Sequence, residues 1–194
     1  MDIAIITGAS SGLGTEYYKT IQYEALDEVW IIARREGALN EISQKYGKIK
    51  TRVIPLDLTV DESHEKLLNI IKEEKPNIKY LFNNAGFGAY GKLNEIDLLK
   101  QTNMIDLNVK ALTKITYFAL GYMQEGSKII NTASIVLPIG DFLKDATVYV
   151  LRCSQPWVVL TKEFLSFGTI FQLERLRNAR QLDCKVFQKT LSFR

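Results

Sequence analysis

The chain opens on an apolar run, Ile3-Ala4-Ile5-Ile6, that leads straight into Thr7-Gly8-Ala9-Ser10-Ser11-Gly12-Leu13-Gly14. No other stretch constrains the fold as much. A short apolar run bounded by a glycine-rich turn reads as a strand buried on both faces. Leu13, Tyr17 and Ile21 then recur at spacings of four, as along one side of a helix. The order is strand, glycine turn, helix. Each glycine lets the backbone come close to a ligand where a side chain would collide. A helix opening near Gly12 points its free amides and the positive end of its dipole at the turn, which makes a place for a pyrophosphate. The spacing is Gly-x-x-x-Gly-x-Gly, not the commoner Gly-x-Gly-x-x-Gly. Taken alone, it also suits a turn that only reverses the chain.

The rest of the chain repeats the alternation. Val29 to Ala33, Arg52 to Leu56, Ile78 to Phe82 and Ser127 to Thr132 read as further buried strands. Between them lie helical patterns: Leu39, Ile42 and Tyr46 up to a stop at Gly47, then Leu67, Ile70 and Ile71 up to Pro76. Thr59 to Glu62 has the spacing of a capping box. A long helix is expected from about Ile96 to Met123, with Ile105, Leu112, Ile115, Ala119 and Met123 along one side. Another is expected over roughly 149 to 167. Strands alternating with helices imply parallel pairing with helices on both faces of one sheet.

The chain has 194 residues, enough for one domain with a real core. A net charge of +3 does not suggest a nucleic-acid partner. Cys153 and Cys184 form neither a disulfide framework nor a metal-ligand spacing, so no metal is expected. No signal-peptide pattern and no bilayer-length apolar run is present, so a cytoplasmic protein without a membrane partner is expected. After Phe167 the composition turns basic, with Arg175, Arg177, Arg180, Lys185, Lys189 and Arg194. We therefore divide the chain into a dinucleotide-binding domain, 1–167, and a basic C-terminal tail, 168–194. The tail reads as a weakly amphipathic helix or a poorly packed segment, and its charge as a solvated face.

These motifs together resemble the single-domain short-chain dehydrogenase/reductases. Thr7 to Gly14 matches that family's cofactor turn, Asn83-Asn84-Ala85-Gly86 its second signature, and Asp57-Leu58 its adenine-contacting pair. Asn108 matches its active-site asparagine and Ser134 its catalytic serine. The resemblance covers about residues 1 to 149. It implies an α/β fold: a doubly wound parallel sheet of Rossmann type, ordered 3-2-1-4-5, with a nicotinamide cofactor across its carboxyl edge. It further implies that Gly8, Ser10, Ser11, Gly12, Leu13, Gly14, Asp57, Leu58, Asn84, Ala85 and Gly86 bind the cofactor. Arg34 and Arg35 follow the second strand, where a carboxylate usually accepts from the ribose 2′-hydroxyl of NAD. Guanidinium groups there suit a 2′-phosphate, so NADP(H) is expected over NAD(H).

The chemistry that the resemblance implies is hydride transfer between nicotinamide and a small carbonyl or alcohol substrate. Tyr149 is the candidate acid/base, Ser134 orients the substrate oxygen, and Asn108 serves the proton relay. Two departures stand out. Four residues after Tyr149, where the family has the lysine that lowers the tyrosine pKa, this chain has Cys153. The family's last strands and substrate lid also have no counterpart after Phe167. Weakened catalysis is therefore expected. The rival readings are a non-catalytic nucleotide-binding or interaction protein and a defective fragment. Pro138, Ile139, Gly140 and Phe142 could line a substrate side or simply pack a loop. A homo-oligomer is expected by analogy with the family.

Overall fold

The computed structural model describes residues 1–89 and 94–132. The readings placed on Ser134, Tyr149, Cys153, 138–142, the helix over 149–167, the tail and the missing last strands lie outside them. Within the described residues the order is β1 (Asp2–Thr7), α1 (Gly12–Ile21), β2 (Glu28–Ala33), α2 (Glu36–Tyr46), β3 (Lys50–Pro55), α3 (Asp61–Glu74), β4 (Asn77–Asn83), α4 (Leu98–Ile105), a π-helical segment (Asp106–Ala111), α5 (Leu112–Leu120) and β5 (Lys128–Asn131). The strands form one sheet in the order β3-β2-β1-β4-β5, and every neighbouring pair is parallel. This is the doubly wound α/β sheet that the alternation predicts.

Successive strand residues serve opposite faces. Ile3, Ile5, Trp30, Ile32, Ile54, Ile78 and Leu81 pack with Leu67 and Ile71 of α3 and Ala111, Ile115 and Ala119 of the long helix. Ala4, Ile6, Val29 and Ile31 alternate with them and are equally buried, as are Tyr18, Ile21 and Leu39 of α1 and α2. Burial on both faces explains why the strands read as unbroken apolar runs.

Three helix readings need correction. The buried side of α1 is Gly14, Tyr18 and Ile21, while Leu13 is 38% exposed. The buried stripe of the long helix is Met104, Asn108, Ala111, Ile115 and Ala119, while Ile105 is half exposed. A polar Asn108 in that stripe, and the widened turn of the π-helical segment around it, disguise the register. Third, the capping box does not form: Val60 is the N-cap of α3 and lacks a side-chain cap. Thr59 is diverted, its amide and hydroxyl both donating to Asp57 Oδ1 at 3.0 and 2.8 Å. Such local side-chain bonds compete with caps. Asp61 instead ties α3 to the long helix through Lys114 and Lys110, at 2.7 and 3.4 Å. The Lys114 ammonium, with Lys110 beside it, holds the Asp61 carboxyl down at about 2.

Tyr80 on β4 makes a testable contact across the sheet. Burial first, and then donation of its hydroxyl to Glu24 Oε2 at 2.9 Å, pushes the phenol up to about 12. Folding therefore favours the neutral phenol. That contribution is complete below the unfolded value of about 10 and is lost as pH rises through about 12. Tyr80→Phe should melt below the wild type at neutral pH, and the gap should close across that alkaline window. Thermal melts of both proteins over the range check it; a gap that stays constant would contradict the assignment.

Candidate functional site

A cleft of about 330 Å³ runs along the carboxyl ends of β1, β2, β3 and β4. An open parallel sheet leaves such a crevice where the strand order reverses, here between β1 and β4. Gly8, Ser10, Ser11 and Leu13 come from the first turn, Arg34 and Arg35 from the end of β2, Asp57 and Leu58 from the end of β3, and Asn84, Ala85 and Gly86 from the end of β4. Eleven of the thirteen residues named from sequence as cofactor-binding thus line one cavity. Gly12 and Gly14 do not.

The three glycines differ in what requires glycine: φ and contact at Gly8, φ alone at Gly12, contact alone at Gly14. Gly8 has φ +68°, and a Cβ there would lie 2.7 Å from the Ala85 Cα. Gly12 has φ +57° with nothing within 4 Å. Gly14 is helical, but a Cβ on it would run into the Gly8 carbonyl oxygen and come within 2.6 Å of Asn84 Nδ2. At Gly8 and Gly14 the close approach that the structure shows is to other parts of the protein. A Cβ at Gly12 would enter open space.

A buried hydrogen-bond cluster holds the turn. Thr7 Oγ1 accepts from the amides of Asn84 and Ala85, both at 2.9 Å, and donates to the Phe82 carbonyl at 3.2 Å. Asn84 Nδ2 donates to the Thr7 and Gly8 carbonyls at 3.2 and 3.1 Å. Thr132 Oγ1, just past β5, donates to Asn84 Oδ1 at 3.1 Å. The Asn84 side chain is thus occupied in joining β1, β4 and β5. Asn83 alongside it donates to Thr116 Oγ1 and Asn131 Oδ1, both at 2.9 Å. Thr7 and Thr132 were not picked out as site residues. Their signal in the sequence is a polar residue at the carboxyl end of an otherwise apolar strand.

Asn108 is 5% exposed within the π-helical segment. Its Oδ1 accepts from the Phe87 amide at 3.1 Å and its Nδ2 donates to the Phe87 carbonyl at 2.8 Å. The side chain pins the loop after β4 to the long helix. Neighbouring Leu107, not Asn108, reaches the cleft. Breaks of this kind in a helix concentrate at functional sites.

The cleft carries exposed positive charge at one end. Arg34 makes a loose ion pair with Asp57, 3.9 Å from guanidinium to carboxylate, and the other Asp57 oxygen is held by Thr59. At the other end, α1 starts with no acidic residue in its first turn and no side chain capping it. An uncapped amide end and two guanidinium groups suit the phosphates of a dinucleotide.

Comparison with known proteins agrees with this geometry. The family model for short chain dehydrogenases matches residues 2–141. An uncharacterized oxidoreductase of Staphylococcus epidermidis is 30% identical over 135 residues, which are 69% of this chain and 58% of that protein. Among solved structures, the bulky-bulky ketone specific alcohol dehydrogenase of Comamonas testosteroni superposes with a TM-score of 0.61 at 27% identity, over 70% of this chain and 55% of its own. A short-chain dehydrogenase of Sphingobium yanoikuyae in complex with NADPH gives 0.60 at 26% identity, over 70% and 54%. The chain spans little more than half the length of these relatives. With its sheet order, its glycine turn and its cleft all in agreement, the chain belongs to the short-chain dehydrogenase family.

Proposed function

We propose that the cleft binds NADP(H) in preference to NAD(H), and that the chain is an NADP(H)-dependent oxidoreductase of a carbonyl or alcohol substrate whose proton transfer is weakened. The observation that carries the cofactor reading is the convergence of the glycine turn, the free end of α1 and both arginines on one cavity. The first-turn amides would hold the diphosphate, and Arg34 and Arg35 the 2′-phosphate. Leu56 offers apolar surface for a base. The bound nicotinamide supplies the hydride. Ser134 would orient the substrate oxygen and Tyr149 exchange its proton. Asn108 would serve the proton relay, held in place by the Phe87 peptide. With Cys153 in place of the family's lysine, no cation at that position draws the Tyr149 phenol toward its ionised form.

That same cysteine favours the second reading, a nucleotide-binding protein without turnover. The 168–194 segment remains, in our reading, a basic tail beyond the nucleotide-binding domain. Leu98, Leu99, Ile105, Val109 and Tyr117, exposed along α4, the π-helical segment and α5, fit association with another copy of the chain.

Titration of the purified chain with each reduced cofactor, read by fluorescence and thermal shift, tests the cofactor reading. NADPH should bind more tightly than NADH. Arg34→Ser with Arg35→Ser should weaken NADPH on the order of 10- to 100-fold, the worth of one or two charge-assisted hydrogen bonds, and leave NADH nearly unchanged. Equal affinities in the wild type would defeat the NADP(H) preference. NADPH oxidation with a panel of ketones then separates the two readings, since binding without turnover selects the second.

A further inference from the structure

Thr132 is far from the glycine turn in sequence and reaches it through Asn84, 48 positions before it: its hydroxyl meets Asn84, and Asn84 meets Thr7 and Gly8. It is buried, its amide donates to the Asn83 carbonyl at 3.0 Å, and in sequence it precedes Ser134 by two positions. Asn84 Oδ1 can only accept, so the Thr132 proton is committed to it. The same Thr132 oxygen lies 3.3 Å from Tyr17 Oη on α1, the helix that starts at the glycine turn. One hydroxyl therefore touches both supports of the turn, the Asn84 clamp and the first helix.

The orientation of the Asn84 amide decides whether the clamp closes. With Oδ1 toward Thr132, Nδ2 grips two carbonyls of the turn. Turned over, it would set an oxygen against those carbonyl oxygens. The Thr132 proton selects the first arrangement. Without it, a buried acceptor is left unsatisfied and the gripping arrangement loses population. A ligand that needs this arrangement binds more weakly in proportion to the fraction lost.

We propose that Thr132 is a positioning residue that couples the end of β5, leading toward Ser134, to the turn that receives the cofactor diphosphate. The cofactor half of this proposal rests on the nucleotide reading of the cleft; the coupling itself does not. By linkage, nucleotide at the turn should in return steady the end of β5.

The experiment compares wild type, Thr132→Val and Thr132→Ser. Valine keeps the shape and removes the hydroxyl; serine restores it. Amide hydrogen exchange without nucleotide is read first, at Gly8 and Ala85. Thr132→Val should speed exchange at both by about tenfold, the equivalent of one buried hydrogen bond, and Thr132→Ser should restore it. NADPH titration is read second. Thr132→Val should raise Kd about tenfold and Thr132→Ser should stay within about twofold of wild type. In the wild type, NADPH should slow exchange of the Thr132 amide. Wild-type exchange and Kd in Thr132→Val, whatever its melting temperature, would overturn the proposal, because a purely structural hydroxyl lowers stability without changing how the folded chain binds. If Thr132→Val does not fold, Thr132→Ser and the NADPH-dependent protection of Thr132 still decide, and absent protection overturns the coupling. If no form binds NADPH while the exchange difference is present, the nucleotide reading fails and the coupling stands.

Discussion

Gly14→Ala should cost on the order of 3 kcal/mol of stability and remove NADPH binding at concentrations that saturate the wild type. The sign carries the argument. Gly14 sits in the first turn of α1 with helical backbone, and in a helix alanine is better than glycine by up to about 1 kcal/mol. Nothing but collision can make the substitution harmful. The added methyl would meet the Gly8 carbonyl oxygen, would lie 2.8 Å from the Gly8 carbon, and would come within 2.6 Å of Asn84 Nδ2. Two of these are backbone atoms in a turn fixed by Thr7 and Asn84, so they cannot yield without opening the clamp. Gly12→Ala is the control. Its φ of +57° strains any side chain, at about 1 kcal/mol, but its Cβ would enter empty space. Chemical denaturation of the two variants, with NADPH titrations alongside, should rank Gly14→Ala well below Gly12→Ala. Equal stabilities would mean that the turn can relax around a methyl, and the rigid turn inferred here would be wrong.

The same contrast shows what sequence could convey. The three glycines announced a turn, but not that Gly12 is needed for its φ alone, Gly8 for its φ and its contact with Ala85, and Gly14 for its contact with Gly8 and Asn84. The Ala85 and Asn84 atoms among these lie about 70 or more positions away in the chain. The strands were legible because a parallel sheet covered on both faces demands continuous apolar runs, and Ile3 to Ile6 and Val29 to Ile32 meet that demand without interruption. The sheet order followed from the family resemblance, and the cavity from the carboxyl ends that this order brings together. The long helix was legible in extent but not in register. Its buried stripe includes Gln101 and Asn108, and a hydrophobicity pattern passes over buried polar residues. Asn108 was singled out by its motif, yet its partner, the Phe87 peptide, has no side-chain signature at all. Likewise Thr59 carried the right spacing for a cap and was taken by Asp57, a competition between two local bonds that spacing alone does not rank.

Asn84→Asp should be nearly as damaging as Gly14→Ala at neutral pH, and it should be the only one of these variants whose damage depends on pH. The shape is unchanged; only the donor is lost. Asn84 is 7% exposed, and Nδ2 faces two carbonyl oxygens, those of Thr7 and Gly8. A carboxylate oxygen in its place would face the same two oxygens with a buried negative charge. Two carbonyls lose their donor at about 1–3 kcal/mol each, so the loss is roughly 3–5 kcal/mol, a large part of the stability of an ordinary domain. Burial and the opposing carbonyls both raise the folded-state pKa of the new carboxyl above its unfolded value near 3.9. A group so raised is least harmful below the unfolded value and becomes fully harmful once pH has risen through the folded one. Protonated, it regains one donor, enough for one of the two carbonyls. The gap to wild type should therefore be smallest near pH 4 and should widen toward pH 7, while the gap for Asn84→Ala, which titrates nothing, should stay level. Denaturant midpoints for the three proteins at the two pH values measure this directly. A gap for Asn84→Asp that is the same at both would show that the side chain at this position does not face the two carbonyls, and the clamp that holds the glycine turn would have to be sought elsewhere.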